Sequence, residues 1–335
     1  MVAPVFGDTG GPEVMVQNLT NGLLKKGVDV TLFAPADWRT KAKHIPTLQK
    51  SLRRRNDFSQ LTKIAIRAYC NASQIKVLNY QDKFDIVHLH LQSHAYAVCS
   101  NTKNPCVLSF HSPITNPYFQ MLKRAGVFTV ALSKHQKGKN RTSALIYNGV
   151  PISEIKPSFE HGSYLVSIGR LHPQKGIDRA IQIALRAKKK LLIFGRIGFS
   201  EKRQSYYKSK IAPFVDGKQI ILMKEVSNKQ IFEYIRNAEA LLFPIRRPEI
   251  CPMSVAESLA CGTPVIGTKT APLDKLLQNK KTAFLSDNIR SLVSATINTQ
   301  QFNRRECRKY AEMHFDSDTM AEKYIELYEK ILKKI

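Results

Sequence analysis

The stretch EICPMSVAESLACGTPVIG, at residues 249–267, decides the fold of this chain. An apolar run, ALLFP (240–244), precedes it and is typical of a buried strand that ends at its proline. Residues 254–260 predict a short helix, which Gly262 is placed to end. The run PVIGT (264–268) predicts another strand. Apolar strands that alternate with helices in this way indicate a parallel sheet covered on both faces.

Similar apolar runs recur along the chain in two series, separated mostly by segments long enough for a helix. Gly149, Pro151 and Pro157 interrupt the pattern between the two series. The sequence therefore predicts an α/β fold with two domains. The other runs are VTLFAP (30–35), FDIVHLH (84–90), PCVLSFH (105–111), VFTVALS (127–133), ALIYNG (144–149), YLVSIGR (164–170), KLLIFG (190–195) and IILMKEV (220–226).

The chain carries a large positive charge, +26 over 335 residues, divided evenly between residues 1–150 and 151–335. This charge favours anionic partners such as nucleotide phosphates, anionic lipid or nucleic acid. We expect no nucleic-acid partner, because no basic helix carries interleaved base-stacking aromatics. A protein that binds nucleic acid or another polyanion remains the alternative from this observation. The charge is lopsided in the segment 86–153, which contains basic residues but no acidic residue.

Cysteine usage and hydropathy indicate a cytoplasmic protein. Six cysteines occur without a CxxC pair, and they lie in or beside apolar runs, as expected for reduced thiols. No apolar run approaches the roughly 20 residues that a membrane-spanning helix needs. The N-terminus lacks the pattern of a signal peptide, although it begins abruptly, as if the first strand were shortened.

Two glutamates, Glu249 and Glu257, lie on either side of the start of the predicted helix. Helix N-termini present free N–H groups and a positive dipole end, which suit a diphosphate. Carboxylates accept hydrogen bonds from sugar hydroxyls, so this pair could hold a sugar at one end and a ribose at the other. The alternative is that Glu257 favours a helix start and Glu249 is a solvated loop residue.

A second motif, SIGRLHPQKG (167–176), places Arg170 and Lys175 on a loop between a strand and a helix. Two cations at this junction can neutralise a diphosphate leaving group. The alternative is an ordinary basic loop on a basic protein.

Glycines and histidines supply further candidates near predicted strand ends. In GDTGGPE (7–13), Gly10 and Gly11 would let backbone approach a phosphate closely, although these residues taken alone favour a plain tight turn. His111 ends a strand and is a candidate for a polar catalytic contact. We expect no metal site, because no cysteine or carboxylate lies at ligand spacing near the histidines. The other histidines of this region are His88, His90 and His94.

The stretch LQKSLRRRND (48–57) predicts a basic helix. Four of its side chains could contact anionic lipid or an acceptor, at about 1 kcal/mol for each basic residue. A solvated helix face is the alternative. These four residues are Lys50, Arg53, Arg54 and Arg55.

Taken in order, these motifs resemble glycosyltransferase family 4, the retaining nucleotide-sugar transferases of GT-B fold. GGPE…LLKKGVDVTLFAP is similar to the family's GGxE…LxxxGHxVTVFA, and FDIVHLH, SFHSP, ALSKHQ and YNGVP resemble its later landmarks. GRLHPQKG is similar to GRLxxxKG, and EICPMSVAESLACGTPVIG to the block that usually ends EAMACGTPVV. ALLFPI before that block resembles the branch of the avilamycin-pathway transferase. The resemblance covers nearly the whole chain.

This resemblance implies two Rossmann-like domains that face each other across a cleft. The first covers residues 1–150 on the acceptor side and is joined by the C-terminal helix, at about 318–335. The second covers residues 151–317 and binds the nucleotide sugar. The activity implied is that of a retaining hexosyltransferase that needs no cofactor or metal, with a UDP-sugar favoured as donor. The alternative within this fold is a sugar-nucleotide epimerase.

The resemblance also implies roles for single residues. Arg170 and Lys175 would bind the donor diphosphate, and Glu249 would hold hydroxyls of the transferred sugar together with the backbone that follows it. Glu257 would bind the ribose. The loop residues implied in donor binding are Cys251, Met253 and Ser254.

From the first domain, the resemblance implies that Gly10 and Gly11 approach the phosphates and that His111 lies beside the reacting sugar. The sequence departs from the family in one loop. Many members have a glycine two or three residues after the first glutamate, where this chain has Cys251 and Pro252. Because proline has no N–H, one backbone donor is absent there.

The expected partners are a nucleotide-sugar donor and a lipid-linked or anionic acceptor that docks on the acid-free segment. Such acceptors belong to the synthesis of cell-surface polysaccharide, lipopolysaccharide or glycolipid. The expected location is therefore the cytoplasm, with peripheral contact at the inner face of the membrane.

Overall fold

The computed structural model describes residues 1–6, 10–198, 200–223, 226–277 and 280–334. The chain divides into two compact units. The N-terminal unit comprises Met1–Gly149 and Ser317–Ile335, and the C-terminal unit comprises Val150–Asp316.

Among its described residues, the N-terminal unit contains six short strands and five α-helices before Gly149. Its strands are β1 (Thr31–Ala34), β2 (Lys43–Pro46), β3 (Val87–Leu89), β4 (Cys106–Ser109), β5 (Phe128–Ala131) and β6 (Ala144–Leu145). Its helices are α1 (Gly11–Lys25), α2 (Lys63–Ile75), α3 (Ala95–Cys99), α4 (Asn116–Arg124) and α5 (Lys134–Lys137).

The N-terminal segment joins two parts of the sheet in this unit. Strand β1 pairs in parallel with β2, and β3 to β6 pair in parallel in chain order. Val2 forms parallel bridges to Phe33 of β1 and to Leu89 of β3, so it lies between them. The resulting order, β2-β1-Val2-β3-β4, is that of a Rossmann-like sheet. The apolar core includes Phe33, Leu89 and Leu108, all fully buried.

The described part of the C-terminal unit contains six further strands, β7 (Leu165–Ile168), β8 (Leu191–Phe194), β9 (Ile220–Leu222), β10 (Ala240–Phe243), β11 (Val265–Gly267) and β12 (Ala283–Leu285). Its helices are α6 (Ile177–Arg186), α7 (Glu201–Lys210), α8 (Asn228–Arg236), α9 (Met253–Ala260), α10 (Leu273–Leu276), α11 (Ile289–Ile297) and α12 (Arg304–Phe315). The last helix of the chain, α13 (Ser317–Leu332), belongs to the N-terminal unit.

All strands of the C-terminal sheet are parallel, in the order β12-β11-β10-β7-β8-β9. The central strands β7, β8 and β10 are almost entirely buried, which explains their continuous apolar sequences. The chain adds β8 and β9 on one side of β7 and then β10, β11 and β12 on the other side, so the order of the strands reverses between β7 and β10. Ligands of open α/β sheets bind at such a switch point, beyond the carboxyl ends of the strands.

Helix α13 packs against α1 within the N-terminal unit. Gly22 of α1 makes this close approach possible, because a Cβ there would lie 2.8 Å from the Cβ of Ala321. Lys25 pairs with Asp318, and Lys26 pairs with Glu322 at 2.5 Å. Fully buried Tyr324 also donates or accepts a hydrogen bond with Ser109 of β4, at 2.7 Å. The C-terminal helix is thus fastened to both a helix and the sheet.

The predicted α/β fold with two parallel sheets is confirmed, and each of the ten predicted runs contains a strand. The sequence does not predict β2 and β12, which are short strands at sheet edges. A helix over 48–57 is wrong, since only Leu52–Arg54 form a single 3₁₀ turn. Backbone N–H groups there bond outside the segment: Leu52 donates to Val5 O at 2.9 Å, and Ser51 donates to Asp37 Oδ1 at 2.8 Å.

Candidate active site

The switch point of the C-terminal unit lies between β7 and β10, whose residues Leu165 and Ala240 are paired. The motif GRLHPQKG follows β7, and the loop IRRPEICP follows β10. Because the two strands are parallel neighbours, their carboxyl ends meet at one edge of the sheet. The two motifs that the sequence places about 70 residues apart therefore begin side by side.

Gly176 brings the two loops into close contact. It has φ +68°, and a Cβ there would lie 2.0 Å from the carbonyl oxygen of Pro244. Only glycine satisfies both the left-handed backbone and this approach. Before it, Pro173–Lys175 form one 3₁₀ turn, whose Gln174 N–H donates to Nδ1 of His172 at 3.2 Å. Arg170, at the start of this loop, is exposed.

Arg246 ties the same two loops together with four hydrogen bonds. Its guanidinium donates to both carboxylate oxygens of Asp178, at 2.6 and 2.5 Å, and to the carbonyl of Pro173 at 2.8 Å. Its backbone N–H donates to Gln174 O at 2.8 Å. The Tyr206 hydroxyl also donates to Asp178, at 2.6 Å, and the pKa of Asp178 lies below its usual value through these bonds, although burial opposes them. This network fixes the geometry of the loops.

Lys175 and Glu249 meet at the switch point. Lys175 Nζ lies 2.6 Å from Glu249 Oε1, and the two side chains are 17% and 24% exposed. The ammonium also lies 5.8 Å from the centre of the Phe243 ring, at the end of β10. The Glu249 N–H donates to the carbonyl of Ala271 at 2.9 Å, which holds the loop in place. The structure therefore brings together a cation and a carboxylate from two separate motifs, both accessible to a ligand.

Helix α9 begins shortly after Glu249 in the sequence, at Met253, with Pro252 as its N-cap residue. The N-cap side chain forms no capping hydrogen bond, and the first N–H groups of a helix have no partner within it. Cys251, Met253 and Ser254 are partly buried along this start. The arrangement offers backbone donors to an anion close to the Lys175–Glu249 pair.

Glu257 lies one turn inside α9 and is partly buried. Among the described residues, none makes a hydrogen bond or an ion pair with its carboxyl group. Burial without such compensation raises the pKa of Glu257 to about 7. A ligand that donates hydrogen bonds to this carboxyl would supply what the protein does not.

In the N-terminal unit, Gly10 is the N-cap residue of α1 and Gly11 is its first residue. A Cβ at Gly10 would lie 2.0 Å from Glu13 Oε2, whereas Gly11 is exposed with open space around it. The predicted close approach of a phosphate to the backbone is therefore sterically possible at Gly11. The preceding residues of the motif, 7–9, lie outside the described part of the chain.

His111 follows β4 and contacts a second histidine. Its Nε2 lies 3.1 Å from Nδ1 of His90, which follows β3 and is buried. Burial lowers the pKa of His111 to about 4 and that of His90 well below its usual range. Both rings are therefore neutral at pH 7. The third histidine, His88, is hydrogen-bonded to Ser109 Oγ at 2.9 Å and to the Tyr328 hydroxyl at 2.7 Å.

Comparison with known proteins identifies the chain. Residues 9–154 match the model of Glycosyltransferase Family 4, and residues 151–299 match that of Glycosyl transferases group 1. The chain belongs to the family 4-like glycosyltransferases. The resemblance noted in the sequence is thereby confirmed. No curated protein sequence matches this glycosyltransferase significantly.

Solved structures confirm the GT-B fold. They include AviGT4, a glycosyltransferase involved in avilamycin A biosynthesis (TM-score 0.71, 19% identity, 97% of this chain and 91% of that chain). Sucrose-phosphate synthase from Thermosynechococcus elongatus is similar over 100% and 99% of the two chains, with TM-score 0.81 and 14% identity. Anabaena HepE, solved with UDP and glucose, is similar over 98% of each chain, with TM-score 0.75 and 16% identity.

The basic cluster of this glycosyltransferase is not a free cationic face. Arg54 pairs with Asp37 at 3.2 Å and Arg55 with Asp57 at 2.6 Å. Arg53 lies 3.6 Å from Glu13 and stacks over the Phe6 ring. Lys50 is exposed. Contact of this cluster with lipid or acceptor stays a prediction, with its arginine charges largely compensated. Within the described residues, no helix is both long and apolar enough to cross a membrane.

Two further features lie apart from the predicted site. The described residues contain no group of three or more His, Cys, Asp or Glu placed to hold a metal ion. A cavity of about 540 Å³ lies beside Glu239 and Pro264, which precede β10 and β11. It is at the amino ends of these strands, away from the switch point, so we do not assign the donor to it.

The motifs in the sequence do not indicate a role for Arg246, and they indicate His90 only as a candidate metal ligand. One arginine among 52 basic residues carries no distinctive signal. Its position in the loop between β10 and Glu249 was the available indication. For His90, the x-His-x-His alternation along a strand was the signal, since it places both histidines on one face of the sheet.

Proposed function

We propose that this glycosyltransferase moves a hexose from a UDP-sugar to an acceptor hydroxyl with retention of anomeric configuration. The observation that carries the proposal is the contact of Lys175 with Glu249 at the switch point, beside the uncapped start of α9. A cation, a carboxylate and free amides match the phosphate and hydroxyl groups of a nucleotide sugar. Structures of Anabaena HepE with UDP and with UDP-glucose support the choice of nucleotide.

In this proposal, Arg170 and Lys175 neutralise the negative charge that develops on the departing diphosphate. Preorganised positive groups are the main electrostatic requirement of such a reaction, and each is worth about 10²–10³ in rate. The first amides of α9 add to this field. Because protein cations supply the positive charge, the proposed reaction does not require a metal ion.

Glu249 accepts hydrogen bonds from hydroxyls of the transferred sugar. The Lys175 ammonium orients this carboxylate before the donor arrives. The backbone of Cys251, Met253 and Ser254 forms the rest of the sugar site. Pro252 contributes no N–H, so the loop offers one donor fewer than a glycine there would, which restricts the sugars that it can hold.

Glu257 accepts hydrogen bonds from the ribose hydroxyls. Its carboxyl has no other hydrogen-bond partner among the described residues, and its raised pKa of about 7 shows the cost of leaving it without one. Nucleotide binding would therefore favour the ionised form. From the N-terminal unit, Gly10 and Gly11 are assigned to the phosphates and His111 to the reacting sugar, as the family resemblance implies.

The leaving phosphate takes the proton of the acceptor hydroxyl, so no separate carboxylate base is needed. The acid-free segment 86–153 suits a lipid-linked or anionic acceptor. Such acceptors place the enzyme in the synthesis of cell-surface polysaccharide, lipopolysaccharide or glycolipid, in the cytoplasm with peripheral contact at the inner face of the membrane.

A thermal-shift screen against UDP-, GDP- and ADP-sugars tests the donor, because a ligand raises the melting temperature according to its affinity. We expect UDP-sugars to stabilise the protein most. NMR of the glycoside product then tests retention through its anomeric configuration. A product of inverted configuration would contradict the mechanism. A changed sugar nucleotide without acceptor would indicate an epimerase instead.

A further inference from the structure

The contact between His90 and His111 has a direction that the structure determines. Two neutral imidazoles share one hydrogen bond of 3.1 Å between His90 Nδ1 and His111 Nε2. One nitrogen must carry the proton and the other must offer its lone pair. Which nitrogen carries the proton in each ring therefore depends on which ring donates.

The other nitrogen of His90 decides between these two arrangements. His90 Nε2 is buried and has no hydrogen-bond partner among the described residues. If it carried the proton, a donor would be buried without an acceptor. If Nδ1 carries the proton, only a lone pair is left unsatisfied. Orphaned buried donors are the rarer of the two in proteins. His90 therefore donates through Nδ1, and His111 accepts at Nε2.

The same reasoning sets the state of His111. A neutral imidazole that accepts at Nε2 carries its own proton on Nδ1. None of the described residues forms a hydrogen bond with this Nδ1, and the side chain is partly exposed. His111 thus presents an N–H donor and retains no free lone pair with which to accept a proton.

We propose that His90 is a positioning residue that fixes His111 as a neutral hydrogen-bond donor through Nδ1. This inference rests on the proposed function in one respect: the group that accepts the hydrogen bond from His111 Nδ1–H is an oxygen of the transferred sugar. It also excludes His111 as the base, because accepting a proton at Nε2 would break the bond from His90. The acceptor proton must then leave by another group, such as the donor phosphate.

Substitutions at His90 can separate the hydrogen bond from ring packing. Asparagine places its side-chain N–H₂ near the position of Nδ1, so His90→Asn keeps the donor. His90→Phe keeps an aromatic ring of similar size without it. His88→Phe is the matched control, since His88 lies in β3 just before His90 and is equally buried, but bonds to Ser109 and Tyr328 instead.

The test is NMR of the full-length protein labelled with ¹⁵N-histidine at pH 7, together with steady-state kinetics. We expect the Nδ1–H form for both His90 and His111 in the wild type. In His90→Phe, His111 should lose this preference, and kcat should fall about tenfold at unchanged donor KM, the loss of about one hydrogen bond. His90→Asn should keep the His111 tautomer and most of kcat, and His88→Phe should keep the tautomer.

The Nε2–H form for His111 in the wild type would overturn the inference, whatever the kinetics. So would an unchanged His111 tautomer in His90→Phe. A different failure belongs to the proposed function: if His111→Ala transferred sugar at the wild-type rate while the tautomers stood as expected, His111 would not touch the sugar, and its positioning by His90 would still hold.

Discussion

Each sheet of this glycosyltransferase has a switch point, which lies between the Val2 segment and β3 in the N-terminal unit and between β7 and β10 in the C-terminal unit. The residues that follow these strands treat charge in opposite ways. In the C-terminal unit, ionised groups are kept and paired, as in Lys175 with Glu249 and Arg246 with Asp178. In the N-terminal unit, burial removes the charge from His90 and His111 and leaves hydrogen bonding between neutral rings. The same kind of sheet edge can therefore present paired charges or neutral hydrogen-bonding rings, according to which side chains follow its strands.

Removing Lys175 should have the largest effect, because it abolishes the cation of the charged switch point. We expect Lys175→Ala to reduce the rate of sugar transfer by about 100- to 1,000-fold, the usual effect of losing one preorganised stabilising group. Steady-state transfer from UDP-glucose is the measurement.

Lys190→Ala is the control, because Lys190 is an exposed lysine just before β8 at the opposite end of the sheet. It should leave transfer unchanged. If Lys175→Ala also kept the wild-type rate and UDP affinity, the charged switch point would not be the donor site.

Gly176 tests whether the close contact between the two loops is needed. We expect Gly176→Ala to lower the free energy of unfolding by about 2–3 kcal/mol, because alanine disfavours φ +68° and its Cβ would clash with Pro244 O. Urea unfolding, followed by fluorescence, is the measurement.

Gly217→Ala is a matched control in the same unit. Gly217 has φ +71° but nothing within 4 Å of an added Cβ, so it reports the backbone cost alone, about 1 kcal/mol. Equal losses for the two variants would show that the loops can separate without penalty, and the charged switch point would be less rigid than its contacts indicate.

Most of the fold could be predicted because central parallel strands are buried on both faces and therefore have continuous apolar sequences. The two strands that the sequence does not predict are at edges. The strand β2, with sequence KHIP, is exposed or half-buried throughout, and β12 is only partly buried. Their pairing depends on neighbours far along the chain, so their local sequences carry little signal.

Lys175 and Glu249 could be chosen as candidates from the sequence because each lies in a motif with several chemical groups. Their direct ion pair could not be predicted, since it depends on the pairing of β7 with β10. The arginines at 53–55 show the limit. Their partners include Glu13 and Asp37, which are distant in sequence, and the backbone of Ser51 and Leu52 bonds outside the segment. A local charge pattern cannot reveal such partners, and it predicted a helix in error.

Acid should destabilise the N-terminal unit through its histidines. A neutral His111 with a folded pKa of about 4 binds fewer protons than in the unfolded chain, where its pKa is 6.5. Stability is therefore lost as pH falls from about 6.5 through 4, by about 2–3 kcal/mol. Hydrogen exchange in peptides from this unit, between pH 7 and 4.5, is the measurement.

His111→Gln should reduce this acid response, whereas His135→Gln should not, because His135 is exposed on α5. An acid response of wild-type size in His111→Gln would mean that His111 is already charged in the folded protein. The contrast between the two switch points would then be lost.

Glu257 should give the C-terminal unit a smaller response of opposite sign. Its folded pKa of about 7 exceeds the ordinary 4.5, so between these values the folded state binds more protons than the unfolded state. Its contribution is present below pH 4.5 and is lost as pH rises through 7, by about 1–2 kcal/mol for this partly exposed group. Hydrogen exchange in peptides from this unit measures it.

Glu257→Gln should remove this loss between pH 5 and 7.5, since a neutral amide stands in for the protonated acid at every pH. Glu201→Gln, at an exposed glutamate of α7, should leave the loss unchanged.

The pH dependence of UDP binding sharpens the comparison further. Ribose hydroxyls that bond to the Glu257 carboxylate lower its pKa, so UDP should bind more tightly at pH 7.5 than at pH 6 in the wild type. An equally steep pH dependence in Glu257→Gln would assign that proton to another group.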